Sequence, residues 1–469
     1  MGEHLSPVVL RKLTDLATRL GSFAAASDSL EETLEIDLNT KRVERVTERI
    51  GAERVAERAL AIAAWDQLPL MEKLAAPPGV KVPDVVCIEC DGGRIQRCDL
   101  PADAKSHWTE TKMGLLLELE PRPLLEDPCP ELPSMFYDVV RMAQITKEIK
   151  SAVPQGKKFE SVDEPALTPA PTVENATSNA VEVVSDGADE GSLEAAVADS
   201  TATTTAALAP SSARPPLTPH DTAECVSIAR AEVVAEPPKV LARDVVASLA
   251  NAHAFGKHLA ATAWSLGFAK AVLKSFVADG SSTNWGIWER HFKHLEFIPI
   301  LDIIHALTYV YSAAMAGREA AAGAAIYLRW MTWVWQGQVP QVIAELAQRQ
   351  LELGPPPAIA TETDPRKVVA ETLTYLTNQQ SRMNYPTYRL AGLPITSSWM
   401  ESTVKQINRR VKGSEKFWTQ AGGEDLAQLS ADKLCDTAPL AAFWTRRAEQ
   451  ATGLNRYTNP RTPKSKATA

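Results

Sequence analysis

From residue 7 the chain carries apolar residues at three- and four-residue spacing. "PVVLRKLTDLATRLG" follows a helical period and stops at Gly21. "SFAAASDSLEETL" predicts a second helix. "IDLNTKRVERVTERIG" predicts a third, with Asn39 or Thr40 as N-cap, Val43, Val46 and Ile50 on its apolar face, and Gly51 as its stop. Three short helices with tight connections fit a helix-turn-helix-like, all-α domain over residues 1–76. From about Val82 the pattern becomes that of strands: "VPDVVCIECDGG", "RIQRC" and "HWTETKMGLLLELE" predict strands one to three within 82–150.

Beyond residue 235 the pattern is mainly helical. "VVASLANAHAFGKHLAATAWSLG" reads as one helix, the end of "KAVLKSFVADG" as a buried strand, "NWGIWERHF" as a helix, "LEFIPILD" as a strand and "IIHALTYVYSAAMAG" as a helix. These elements would complete the core over 236–315. A Trp-rich helical block follows over 316–395, then a C-terminal helical region over 396–450 and a basic tail over 451–469. Strand meander followed by alternating helix and strand is an α/β plan.

Residues 151–235 break the pattern. The stretch is rich in Ala, Thr, Pro and Ser, holds almost no aromatic residue, and is expected to stay disordered because it cannot bury enough apolar surface to offset its ordering entropy. Its 13 acidic and 4 basic residues account for the whole formal charge of −9, so the rest of the 469-residue chain is neutral. From Met400 onward the chain is basic by five charges, a local balance that suits nucleic acid. No run of 18 apolar residues is present, so a membrane span is not expected. The N-terminus shows no secretory pattern; a cytoplasmic protein, nucleoid-associated if bacterial, with six reduced cysteines is the expectation.

Three acids stand out. Asp91 follows the run "VVCIEC" and Asp279 ends "SFVA"; Glu401 lies in the helical "SSWMESTVKQINRRVKGSEKFW". Each has an ordinary reading: Asp91-Gly92 as a hairpin turn, Asp279 as an N-cap, Glu401 as an ion-pair partner of Lys405. Together, two acids at strand ends and one on a late helix are what two-metal phosphoryl transfer requires, since hard divalent cations take carboxylate oxygen. Glu401, Lys405, Asn408 and Lys412 share one helix face. Asp302 and His305 form an Asp-x-x-His pair that is either a cap with a half-buried His or an accessory site. Cys87-x-x-Cys90 with Cys98 lacks a second well-spaced pair and reads as small buried hydrophobes rather than a zinc site. His291-x-x-His294 reads as surface helix.

The order "ECDGG…HWTETKMG", "FVADGSSTNWGIWERHF…ILDIIHALTYV", "WVWQGQVPQVIAEL" and "SSWMESTVKQINRRVKGSEKFW" resembles DDE transposases of the Kra insertion-sequence type, relatives of the Mutator-like superfamily. The likeness extends to "SFAAASDSLEETLEIDLNTKRVERVTERIG" and covers most of the chain outside the acidic stretch. It implies a ribonuclease-H-like core interrupted by a helical insertion between the second and third acids. It also implies metal-dependent cutting and joining of DNA at a mobile element's ends. By motif, Asp91, Asp279 and Glu401 become the catalytic and metal-binding acids for two Mg²⁺ ions, with Mn²⁺ as a substitute, and Asp302 and His305 the accessory pair. Lys41, Arg42 and Arg45 are expected to contact terminal inverted repeats, and Lys405, Arg409, Arg410 and Lys412 the DNA backbone, in a homo-oligomer assembled on DNA. Gly92-Gly93 after the first acid and Ser397-Ser398-Trp399-Met400 before the third depart from the family's usual residues. The second reading is therefore a transposase-derived DNA-binding protein without metal chemistry.

Overall fold

The computed structural model describes residues 5–152 and 238–450, apart from 102, 105, 123 and 414. Apart from residues 151 and 152, the acidic stretch expected over 151–235 lies outside the described residues, as does the tail over 451–469. Helices α1 (Pro7–Arg19), α2 (Phe23–Leu34), α3 (Thr40–Asp66) and the one-turn α4 (Leu70–Lys73) precede strands β1 (Val85–Arg97) and β2 (Trp108–Leu119) and helix α5 (Val139–Ala152). Next come β3 (Val240–Ser248), α6 (Ala252–Ser265), β4 (Leu273–Ala278), α7 (Ser282–His291), β5 (Ile298–Leu301) and α8 (Ile303–Met315). A helical block follows: α9 (Ala320–Trp335), α10 (Val339–Leu353), α11 (Pro365–Gln379) and α12 (Tyr385–Leu390). The described chain closes with α13 (Ser398–Val411), the two-residue strand β6 (Phe417–Trp418), α14 (Gln420–Leu434) and α15 (Pro439–Gln450). The architecture is mixed α/β, and no helix among the described residues is long and apolar enough to cross a membrane.

The strands form one mixed sheet in the order β3-β2-β1-β4-β5, with β6 added at the far end of β1. β1 runs antiparallel to β2, and β2 to β3; β1, β4 and β5 are parallel. Two expectations change here. Asp91-Gly92 makes no hairpin: β1 continues to Arg97, paired with β2 from Val85↔Leu119 to Gln96↔Trp108. The third strand is not among residues 82–150 either; it is Val240–Ser248, in the stretch expected to open a helix. Its β-branched run favours the pleated form, and α6 starts only after Asn251, whose side chain accepts the Ala254 N–H at 2.9 Å. In sequence, the acidic stretch therefore falls between the second and third strands.

Helices cover both faces, which is why every residue from Val85 to Cys90 is buried. Strand alternation sends Glu89, Asp91 and Gly93 to the face covered by α13, where Asn408 stands over Gly93. The opposite face meets α6: Gly114, paired with Cys90, lies against Leu259 and Phe255. Beyond β3, α14 packs between the sheet and α3. The outer edge of β3 is occupied: Asp436 N–H donates to the Arg243 carbonyl at 2.7 Å, and Glu424 accepts from Leu249 N–H at 2.6 Å.

The N-terminal helices start as expected, with Ser6, Ser22 and Asn39 accepting from the N–H groups of Val9, Ala25 and Arg42. Gly51 does not stop α3, which runs on for 27 residues. That glycine marks the crossing with α14, where a Cβ would stand 2.5 Å from the Cβ of Asp425. Arg54 bonds Asp432 at 2.8 Å and Arg58 bonds Glu424 at 2.6 Å across this crossing, so the N-terminal helices are tied to the C-terminal part of the core.

Candidate active site

Asp91 lies within β1, and Asp279 follows the last residue of the parallel strand β4. The last paired residues of β1 and β4 are Cys90 and Ala278, so each acid is the next residue after that pair. The Asp91 carboxylate accepts from the N–H of Gly92 at 2.6 Å. Asp279 lies in the turn that leads into α7, and its Oδ1 accepts from Ser281 N–H at 3.0 Å and from the Asn284 amide at 2.9 Å. The same Asn284 amide reaches the Cys90 carbonyl at 3.4 Å and so links the turn after β4 to the middle of β1. The thiol of Cys90 is pushed well above the usual range by burial and then by the negative charges of Asp279, Asp91 and Glu89.

The helix carrying Glu401 is anchored to the sheet by two buried acids. α13 begins at Ser398, but the Ser397 hydroxyl does not cap it; that hydroxyl donates to Asp302 Oδ2 at 2.5 Å, joined by the Ser397 N–H at 3.1 Å. Its third N–H, of Met400, is taken instead by Oε2 of Glu89 at 2.8 Å. Negative charge at a helix N-terminus is favourable, because the unpaired N–H groups carry the positive end of the helix dipole. Glu401 follows Met400 directly, and its Oε1 lies 2.9 Å from the Lys405 ammonium.

Asp302 is the cap of the Asp-x-x-His pair. Fully buried, it caps α8 through the Ile304 N–H at 2.8 Å while its second oxygen holds Ser397. His305 lies half-buried one turn into α8. The helical block reaches the Asp279 turn through α11: the Tyr375 hydroxyl donates to the Asp279 carbonyl at 3.1 Å and Gln379 to the Gly280 carbonyl at 3.1 Å. Gly280 has φ of +94° and no room for a Cβ, which would meet the Tyr375 hydroxyl at 2.6 Å. Tyr375 stacks on Tyr309 at 3.7 Å, and burial raises both phenols above their ordinary range.

Among the bases, Lys405, Arg409 and Lys412 are exposed, but Arg410 is not a backbone contact. Its guanidinium is buried, donates to the Ala17 carbonyl at 2.6 Å, and lies 4.3 Å from the Phe23 ring and 5.4 Å from that of Trp418. Burial lowers it to about 10. The side of α13 that carries it faces the N-terminal helices, a placement that a charge count cannot reveal. Trp418 is packing: its indole N–H donates to the Val411 carbonyl at 2.7 Å, and Trp399 is half-buried against the core. On α3, Arg42 and Arg45 are exposed, and Lys41 pairs with Glu44 at 2.8 Å. His291 is not free surface: its ring packs on Gly256 of α6, and burial pushes it down to about 4.

The carboxylate oxygens of Asp91 and Asp279 suit a hard divalent cation in kind. Among the described residues no group of three His, Cys, Asp or Glu side chains is gathered as a metal site, and Glu401 is engaged by Lys405. Cys87 and Cys90 are buried strand residues with raised thiols, and Cys98 is exposed. Sequence reasoning missed Glu89, although a lone acid inside the apolar run "VVCIEC" was its signal. It also missed Asn284, Tyr375 and Ser397, whose roles depend on contacts distant in the chain. The chain matches no protein-family model, and no curated protein matches its sequence.

Proposed function

We propose that this chain is a DNA transposase with a ribonuclease-H-like core. It binds the terminal inverted repeats of a mobile element, cuts a strand and transfers it to target DNA. The observation that carries the reading is the register of β1 and β4, whose pairing ends at Cys90 and Ala278, so that Asp91 within β1 and Asp279 just past β4 are the next residues. The strand order, with three antiparallel strands followed by two parallel ones, supports it, as does the helical block between Asp279 and Glu401. The N-terminal helices α1 to α3 would act as the helix-turn-helix-like DNA-binding unit, in a homo-oligomer on DNA.

In this reading Asp91, Asp279 and Glu401, which the DNA-free chain does not gather as a metal site, would hold two Mg²⁺ ions, or Mn²⁺, as Lewis acids for an in-line displacement at phosphorus. Asn284 fixes the rotamer of Asp279. Lys405 neutralises Glu401 in the DNA-free chain and, with Arg409 and Lys412, lies on the exposed side of α13 where a phosphate backbone would run. Arg42 and Arg45, with Lys41 once released from Glu44, supply phosphate contacts at the repeats.

A second reading, a DNA-binding protein without metal chemistry, is favoured by the Glu401–Lys405 pair. A gel assay separates the two, using labelled duplexes that carry the inverted repeats flanking the coding region, with and without Mg²⁺. Nicking that requires Mg²⁺ supports the transposase; salt-sensitive binding without nicking supports the second reading; neither contradicts both.

A further inference from the structure

Arg382 lies in the single turn that follows α11 and is half-buried. Two sets of contacts hold its guanidinium. Nη1 donates to the Gln379 side-chain oxygen at 2.7 Å and to the Asn378 carbonyl at 3.3 Å. The guanidinium carbon stands 4.3 Å from the ring centre of Trp285 and 5.9 Å from that of Trp288, both on α7. Packing on the rings is the ordinary role of such an arginine. The rest of the group points further. Nε and Nη2 bond no acceptor among the described residues, yet neither is closed off from solvent. These two atoms form the edge by which Arg389 grips both oxygens of Asp127, Nε at 2.8 Å and Nη2 at 2.5 Å. That edge matches the spacing of two oxygens of a carboxylate or a phosphate.

The placement of the group decides which anion it suits. Gln379, whose oxygen holds Nη1, donates through its nitrogen to the Gly280 carbonyl at 3.1 Å. Trp285 directly follows Asn284, whose amide holds the Asp279 carboxylate at 2.9 Å. Arg382 is thus tied to the Asp279 turn through Gln379 and again through α7. The acid on this part of α7, Glu289, is engaged by Lys293 at 3.0 Å, and the Lys293 ammonium itself lies 5.7 Å from the Trp288 ring. Two cations against one acid leave the surface around Trp288 positive, which suits a polyanion. We propose that Arg382 is a phosphate-binding residue whose Nε–Nη2 edge takes one backbone phosphate of DNA bound across the Asp279 turn. A fork already held by rings and an amide loses little freedom when it binds. The inference rests on the DNA-binding part of the proposed function and not on the metal. It adds a contact from the helical block to those from α3 and α13.

The test uses the full chain without divalent metal and a fluorescent duplex carrying the flanking inverted repeats, titrated at several salt concentrations. Arg382→Gln removes the charge and keeps an amide beside the rings. It is expected to weaken binding by about tenfold and to reduce the slope of log affinity against log salt by about one. Arg382→Lys keeps the charge without the fork, so the slope should return to the wild-type value while affinity stays lower by at least about twofold. A packing role alone would lower the melting temperature of both variants and leave affinity and slope unchanged. An unchanged slope in folded Arg382→Gln, with the unaltered chain binding the duplex, overturns this inference and leaves the transposase reading intact. If Arg382→Gln does not fold, the lysine variant decides: wild-type affinity overturns the phosphate contact, and lowered affinity at wild-type slope supports it. Absence of salt-dependent binding by the unaltered chain overturns this inference together with the DNA-binding reading.

Discussion

The hydroxyl and the backbone N–H of Ser397 both donate to a single carboxylate oxygen of Asp302, at 2.5 and 3.1 Å. The other oxygen of Asp302 caps α8, so one buried acid joins the end of β5 to the start of α13. Asp302→Ala would strip three donors of their acceptor inside the protein. A loss of roughly 3 kcal/mol is expected, read by urea denaturation, with Asp302→Asn losing less.

Arg410 and Lys412 stand two residues apart and should behave in opposite ways. Lys412→Ala is expected to weaken DNA binding for all sequences and to reduce the slope of log affinity against log salt by about one, with stability unchanged. Arg410→Ala removes a buried guanidinium bonded to Ala17 and placed over Phe23 and Trp418. It should cost roughly 2–3 kcal/mol of stability without altering that slope. Binding titrations between low and moderate salt, beside denaturation curves, distinguish them.

The crossing of α3 and α14 carries a pH dependence. The Asp425 carboxyl is raised from 3.8 to about 7, first by burial, then by Glu48 and Glu424, while Arg58 opposes the shift. The folded chain therefore holds a proton that the unfolded chain has lost between these values. The contribution to stability is fully present below about pH 4 and is lost as pH rises through 7. Asp425→Asn should match the wild type at pH 4 and exceed it at pH 8 by at most roughly 4 kcal/mol. Denaturation at the two pH values checks the sign.

Gly93→Ala places a methyl group 2.9 Å from Thr111 Oγ1 and 3.1 Å from Asn408 Oδ1, closer than ordinary contact. Lifting α13 to make room should cost about 1–3 kcal/mol and lower strand cleavage by more than the loss of folded protein explains. Specific activity per folded molecule is the quantity to compare.

These contacts show what the sequence could and could not carry. The cap of α3 at Asn39 and the burial of β4 were legible because they depend on neighbours within a few residues. The extent of α3 was not, because the glycine at 51 serves the close crossing with Asp425, which is far away in sequence, and not a helix stop. The third strand was misread because "VVASLA" is apolar without a period that separates strand from buried helix. Asp91-Gly92 carried the signature of a turn, yet continuous pairing with β2 overrode it. At the site, Asp279 was legible as the residue that follows β4, whereas Asp91, read as a strand end, lies in the middle of β1. The inward turn of Arg410 and the cap supplied by Glu89 required knowing what lies on either side of α13.

The most direct test of the central claim is Mg²⁺-dependent nicking of duplexes carrying the flanking inverted repeats. Wild type is to be compared with Asp91→Asn, Asp279→Asn and Glu401→Gln, each shown to be folded and to bind the duplex. The account predicts cleavage by the wild type, and loss of cleavage in all three variants by at least about a hundredfold, with binding retained. Wild-type cleavage rates in folded Asp91→Asn or Glu401→Gln would contradict it.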